Sequence, residues 1–215
     1  MSQLVKPWVK EELEKRFKQG LARLHFQASQ EQITQNIDYL ELMHKWNQRL
    51  NLTAIRNPVE MVSRHLLDSV VIYPHLVGQR IIDVGTGAGL PGIPLSIMAP
   101  DCQFFLLDSN HKKQVFVNQV VKSLSLKNVS CIYSEVSAYQ PAEKFSTILT
   151  RAFAPLEKMI HLTSHLLAEG GRFLAMMGKV ESTTALPSGY ELEQMIALKV
   201  PQERAERHLA IISRI

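Results

Sequence analysis

Ile81-Ile82-Asp83-Val84-Gly85-Thr86-Gly87-Ala88-Gly89-Leu90-Pro91-Gly92 decides how the rest of the chain is read. A short apolar run ends in an acidic residue, glycines then alternate, and an apolar, helix-like segment follows. This is a strand feeding a tight turn in which a ligand can touch the backbone. Asp83 lies two residues before the first glycine, which predicts a carboxylate at the mouth of the turn. A cationic group is welcome there, and a diphosphate is repelled.

Gly87-x-Gly89-x-x-Gly92 also satisfies the dinucleotide pattern G-x-G-x-x-G. Asp108 ends the next apolar run about 20 residues on, where an acidic residue holds ribose hydroxyls. Nicotinamide dinucleotides and S-adenosylmethionine both carry such a ribose, so Asp108 does not separate them. Asp83 helps to. A dinucleotide needs its pyrophosphate over the helix N-terminus. S-adenosylmethionine has no phosphate and brings an amino acid and a sulfonium cation. The register Asp83-x-Gly85-x-Gly87-x-Gly89 is the usual methyltransferase turn, and S-adenosylmethionine is the expected cofactor. An NAD-binding oxidoreductase is the rival that the glycine pattern alone would support.

Before the turn, residues 1–77 read as helical. Leu13, Phe17, Leu21 and Leu24 recur at helical spacing between Pro7 and Leu24. A second helix starts at Ser29, with Gln32 completing a capping box, and runs through Ile33, Ile37, Leu40 and Met43 to about Leu50. A third is announced by Asn57 as cap and Pro58 in the first turn, and continues through Met61, His65, Leu66 and Val70. After Gly78 the rhythm changes. Strands are expected at Arg80–Val84, Gln103–Asp108, Val129–Tyr133, Phe145–Thr150 and Arg172–Met176, with helices near Gly92–Met98, Lys112–Ser123 and Leu156–Leu167. Such alternation builds a mainly parallel sheet. Glu191–Val200 and His208–Arg214 are too close in sequence for a crossover helix, so they pair antiparallel. Five parallel strands and a terminal hairpin are the pattern of the Rossmann-like class I S-adenosylmethionine-dependent methyltransferase fold, of class α/β. The expected organisation is a helical cap, 1–77, packed on a methyltransferase domain, 78–215, as one compact unit.

Bulk properties are permissive. The chain has 215 residues, of which 46% are hydrophobic, enough for one α/β domain and an accessory element. A formal charge of +4 allows an anionic partner without demanding one. Cys102 and Cys131 form no C-x-x-C pattern, and no metal site is expected. The polar N-terminus argues against a secretory leader, and no apolar run is long enough to span a bilayer. A cytoplasmic, monomeric protein is expected.

Several further motifs follow one another in order. They are His44-Lys45-Trp46-Asn47, Asn51-Leu52-Thr53, Arg64-His65-x-x-Asp68-Ser69, the stretch from Asp83 to Ser96 with its Gly-Leu-Pro-Gly-Ile-Pro, Leu107-Asp108-Ser109 and Arg151-Ala152-Phe153-Ala154. From about residue 29 onward the chain resembles the bacterial glucose-inhibited division protein B family, the small-subunit ribosomal RNA guanine-N7 methyltransferases. That resemblance implies methyl transfer to a guanine N7 of 16S rRNA near the decoding region, with 16S rRNA or the 30S subunit as partner. It implies Gly85 and Leu90 at the methionine side of the cofactor, Val136 and Ser137 beside the adenine, and Arg151 in the cofactor site. Two positions depart from the family. Many members have Glu where this chain has Ser137. Many also have lysine at the position of Met177; where that lysine serves RNA or cofactor, Lys179 would have to substitute, which makes it a further candidate RNA contact.

Guanine N7 offers an in-plane lone pair and carries no proton, so its methylation needs orientation and electrostatics rather than a general base. The chain fits this. It has Arg151-Ala-Phe-Ala-Pro155 where exocyclic-amine methyltransferases carry an Asn/Asp-Pro-Pro-aromatic tetrad. Arg64 and His65 open a helix that the family places beside the cofactor pocket, and they are the candidate substrate-positioning pair. Arg64 and Asp68 are also spaced for an ordinary helical ion pair. Lys112 and Lys113, at the ligand edge after the second strand, are candidates for RNA phosphates. Trp46 fits the core better than a base stack, and Asn51 and Thr53 fit a turn before the third helix. A small-molecule methyltransferase on the same fold, or an inactive RNA-binding relative of it, are the remaining alternatives.

Overall fold

The computed structural model describes residues 8–178 and 186–215. Its strands are β1 (Arg80–Val84), β2 (Gln103–Asp108), β3 (Val129–Tyr133), β4 (Phe145–Arg151), β5 (Leu167–Met177), β6 (Tyr190–Ala197) and β7 (His208–Arg214). They form one sheet in the order β3-β2-β1-β4-β5-β7-β6. The first five are parallel, and β7 runs antiparallel to both β5 and β6. Strand order reverses at β1, which has β2 on one side and β4 on the other. Ligands of open α/β sheets sit at the carboxyl ends of the strands at such a point.

Both faces of the sheet are covered. Ile81, Leu106, Leu149, Leu174 and Ile211 join one buried cluster, while Ile82, Leu107, Ile148, Phe173 and Ile212 join the other. The period of two comes from the alternation of side chains along a strand. Because both faces are buried, the central strands are nearly continuous apolar runs. The first cluster also holds Leu13 and Phe17 of α1 (Lys10–Arg23) and Ile37, Leu40 and Met43 of α2 (Gln30–Leu50). The N-terminal helices therefore share a core with the sheet. Ser29 accepts the Gln32 N–H and Gln32 accepts the Ser29 N–H, closing the expected capping box. Asn51 ends α2 in the left-handed conformation.

The third helix differs from the single α-helix read from the sequence. Asn57 caps α3 (Pro58–Met61), a π-helical stretch Val62–Leu67 follows, and α4 (Asp68–Val70) ends the segment. The remaining helices are α5 (Gly92–Met98), α6 (His111–Ser123) and α7 (Leu156–Thr163). The last of these ends in a 3₁₀ turn, Ser164–Leu166, so the helix is shorter than its apolar spacing predicts. β5 begins earlier than expected, because Leu167 already pairs with Phe145 before the register shifts.

Candidate active site

Beyond β1 the chain turns back over the end of β2. Gly85 and Thr86 both donate their N–H groups to the Leu107 carbonyl, at 2.9 and 3.1 Å. Gly85 has φ +70°, and a Cβ there would lie 2.7 Å from the Phe153 ring. Gly92 is needed for close approach. A Cβ there would collide with Leu106 and stand 2.8 Å from Asp83 Oδ2.

Asp83 lies beneath this turn, not at its mouth as the sequence predicts. Strand alternation puts it on the same face as Ile81, the face covered by the N-terminal helices, and it is fully buried. Its Oδ2 accepts from Thr86 Oγ1 at 2.7 Å and from the Gly92 N–H at 2.9 Å. Its Oδ1 is buried with no hydrogen-bond partner. Burial pushes its pKa up to about 6, against the opposing pull of the Thr86 and Gly92 hydrogen bonds and the Arg151 charge. Asp83 thus shapes the turn and places an incompletely compensated anion under it.

Asp108 closes the other side. Its Oδ2 accepts from the Gly87 N–H at 2.8 Å and its Oδ1 from the Asn110 N–H at 2.7 Å. Each carboxylate oxygen retains a lone pair for a further donor. Leu90 is buried, as is Val136, which with exposed Ser137 sits in a short 3₁₀ turn after β3. The Lys113 ammonium reaches to 3.9 Å from where a Cβ on Gly87 would stand, so it borders the turn itself. Lys112 is exposed at the start of the same helix.

Tyr39 lies on α2 outside every motif named above. It is buried on α2, and its hydroxyl donates to the Ala88 carbonyl in the middle of the glycine turn at 2.8 Å. The available signal was a tyrosine on the apolar face of a helix, where a buried hydroxyl needs a partner.

A cavity of about 430 Å³ opens past the end of β4, lined by Thr53, Arg64, His65, Asp68, Arg151 and Arg207 among others; its Ala152 directly precedes the Phe153 whose ring borders Gly85 of the turn. His65 is buried, with Nδ1 3.1 Å from the Arg64 carbonyl and Nε2 3.0 Å from Thr53 Oγ1. A carbonyl only accepts, so Nδ1 carries the proton and Nε2 accepts from the threonine hydroxyl. Desolvation, reinforced by the Arg151 charge, pulls the His65 pKa down to about 3, so the ring is neutral. Thr53 is held in turn by a reciprocal pair of hydrogen bonds with the Asn47 side chain, each 2.9 Å.

The helical ion pair that the spacing of Arg64 and Asp68 allows does not form. Each side chain has a nearer partner from a segment remote in sequence. Arg64 instead faces Glu203 at 3.2 Å, with Glu60 at 4.0 Å. Asp68 takes Arg151 at 3.1 Å and Arg207 at 2.8 Å. Trp46 packs on Phe116 at 5.7 Å between ring centroids, in agreement with a core role. Lys179 lies outside the described residues.

The structure thus brings Asp83, Gly85, Gly87, Leu90 and Asp108 together around one turn, and Arg64, His65 and Arg151 around the cavity beside it. The fold is shared with solved methyltransferases. A glycopeptide N-methyltransferase superposes with a TM-score of 0.58 at 10% identity, covering 73% of this chain and 98% of that one. An S-adenosylmethionine-dependent methyltransferase from Thiobacillus denitrificans, solved with S-adenosyl-L-homocysteine, gives 0.51 at 13% identity, covering 69% and 91%. In sequence, a ribosomal RNA small subunit methyltransferase G from Chromobacterium violaceum is 48% identical over 195 residues, 89% of this chain and 93% of that protein. Its counterpart from Vibrio campbellii is 45% identical over 205 residues, 94% and 97% of the two chains. The profile described as GidB, rRNA small subunit methyltransferase G, matches residues 32–210. The dinucleotide reading of the glycine turn is thereby set aside, and the chain belongs to the rRNA small subunit methyltransferase G family.

Proposed function

We propose that the protein methylates N7 of a guanine in 16S rRNA near the decoding region, using S-adenosylmethionine. The observation that carries this reading is the adjacency of two unlike sites: a glycine turn over a buried carboxylate, and a cavity bordered by three arginines. A cation without phosphate suits the first, and a nucleotide suits the second.

S-adenosylmethionine, when bound, supplies a methyl group activated on a sulfonium. Gly85, Gly87 and Leu90 would hold its amino-acid end. Asp83 shapes that turn and favours positive charge above it. Asp108 would take the ribose hydroxyls, Val136 and Ser137 would flank the adenine, and Arg151 would meet the cofactor at the boundary with the cavity. The residues fit the group, because an uncompensated Asp83 oxygen beneath the turn opposes a pyrophosphate and not a sulfonium.

His65 is neutral and has both ring nitrogens engaged, so it positions the loop at Thr53 and moves no proton. This suits a target atom that carries none. Arg64 stands at the cavity rim for the substrate. Lys112 and Lys113 would contact RNA phosphates, giving salt-dependent affinity with little sequence preference. The base must leave its stack to reach the turn. No helix among the described residues is long and apolar enough to cross a membrane. The proposal includes a cytoplasmic monomer in which segments 1–77 and 78–215 act as one unit.

The test is transfer of radiolabelled methyl to 30S subunits from a strain lacking this gene, followed by mapping of the modified base. Label at a guanine N7 is expected. Label on an exocyclic amine or a ribose refutes the reading, and label on a small molecule with no RNA affinity replaces it.

A further inference from the structure

Asp68 is almost fully buried at the wall of the 430 Å³ cavity, and two chain segments far apart in sequence converge on it. Its Oδ2 accepts from Arg151 Nη1, from the end of β4, at 3.1 Å. Its Oδ1 accepts from Arg207 Nε, just before β7, at 2.8 Å. Arg207 is fixed a second time, since its Nη1 donates to the Glu206 carbonyl at 2.9 Å. A guanidinium has five N–H donors. Asp68 and the neighbouring carbonyls use only part of each set, so both arginines keep spare donors while their planes are anchored. Anchored guanidiniums with spare donors suit carbonyl and phosphate oxygens, above all guanine O6 and a nucleotide phosphate. N7 must stay free to receive a methyl group, which leaves O6 and phosphate as the acceptors.

Charge adds a second requirement. When the N7 lone pair forms the new bond to carbon, the electron pair of the broken carbon–sulfur bond stays on sulfur. The purine then carries the positive charge. Two uncompensated arginines would oppose a cationic base, and one carboxylate between them offsets half of their charge.

We infer that Asp68 is a positioning residue of a guanine-nucleotide subsite: it fixes Arg151 and Arg207 as the reader of O6 and phosphate, and its charge lets the same pocket hold the base after N7 methylation. This rests on the guanine-N7 reading above and adds the residues that recognise the base.

Calorimetric titration of the full chain, without cofactor, tests it with two probes: guanosine 5′-monophosphate and 7-methylguanosine 5′-monophosphate. Wild type should bind the two within about threefold of each other. Asp68→Asn keeps the side-chain shape and removes the charge, and should weaken the methylated probe about tenfold relative to the unmethylated one. Arg207→Met removes one cation, and should weaken both probes while shifting preference towards the methylated one. A variant that only damaged the fold would move both affinities together and leave the preference unchanged. Equal effects on both probes in both variants, or no binding of either probe to wild type, overturn the inference. If Asp68→Asn does not fold, the opposite-sign shift in Arg207→Met alone decides. Because these affinities are read without catalysis, they stand apart from the mapping of the methyl group. Methyl found elsewhere than N7 defeats the functional reading, whereas an unmoved preference defeats only the role of Asp68.

Discussion

Two buried titratable residues give the protein opposite pH dependences. His65 has its pKa lowered from 6.5 to about 3 by burial and then by the Arg151 charge. Between those values the unfolded chain binds a proton that the folded one refuses, so stability falls as pH drops below about 6.5. His65→Gln should remove this loss, and its melting temperature should fall less than that of wild type between pH 7 and 5 in scanning calorimetry. Asp83 is shifted the other way, from 3.8 to about 6, by burial. Its contribution to stability is complete below 3.8 and is lost as pH rises through about 6, because ionising it inside the protein is unfavourable. What stability loses there, cation binding gains. Affinity for S-adenosylmethionine should rise between pH 5 and 7 in wild type, and Asp83→Asn should be weaker and flat over that range. Equal pH profiles for the two proteins in isothermal titration would refute a charge role for Asp83.

The elements differ in how legible they were. β1, β2, β3 and β7 end where the sequence predicts, because short apolar runs rich in β-branched or aromatic residues and bounded by polar or glycine residues leave little choice. The glycine turn was legible for a related reason: at Gly85 a side chain would be strained and at Gly92 it would collide. The third helix was not. Its caps and apolar spacing fit an α-helix, and nothing in periodicity reports the π turn at Val62–Leu67. Arg64 meets Glu203, and Asp68 meets Arg151 and Arg207, all remote in sequence, so helix spacing does not report the ion pairs of the cavity. Asp68 and Arg207 are 139 residues apart, and only the completed sheet brings them together. Asp83 was recognised but misplaced, since a motif gives spacing and only strand alternation gives the face. At this scale Gly92→Ala is the informative change. The added methyl meets Leu106 and presses on Asp83 Oδ2. It should cost about 1–3 kcal/mol in urea unfolding and abolish binding of S-adenosylhomocysteine. Binding retained at wild-type strength would show that the turn tolerates displacement.

At the scale of the whole molecule, the helices before the sheet are part of its core. Phe17 of α1 is fully buried in the cluster that also contains Ile81, Leu106 and Leu174. Phe17→Ala should cost about 3–5 kcal/mol, and the loss should appear in one cooperative transition seen equally by circular dichroism and by tryptophan fluorescence. Two separate transitions would mean that the helical segment unfolds by itself. The hydrogen bond from Tyr39 to the Ala88 carbonyl carries this unity into the ligand site. A residue on α2 grips the middle of the glycine turn, and the same helix leads directly into the loop whose Thr53 lines the cavity. One helix thus touches both the turn and the wall of the cavity, and any coupling it carries works equally in both directions. Hydrogen–deuterium exchange should then slow along α2 when S-adenosylhomocysteine is added, and Tyr39→Phe should erase that protection.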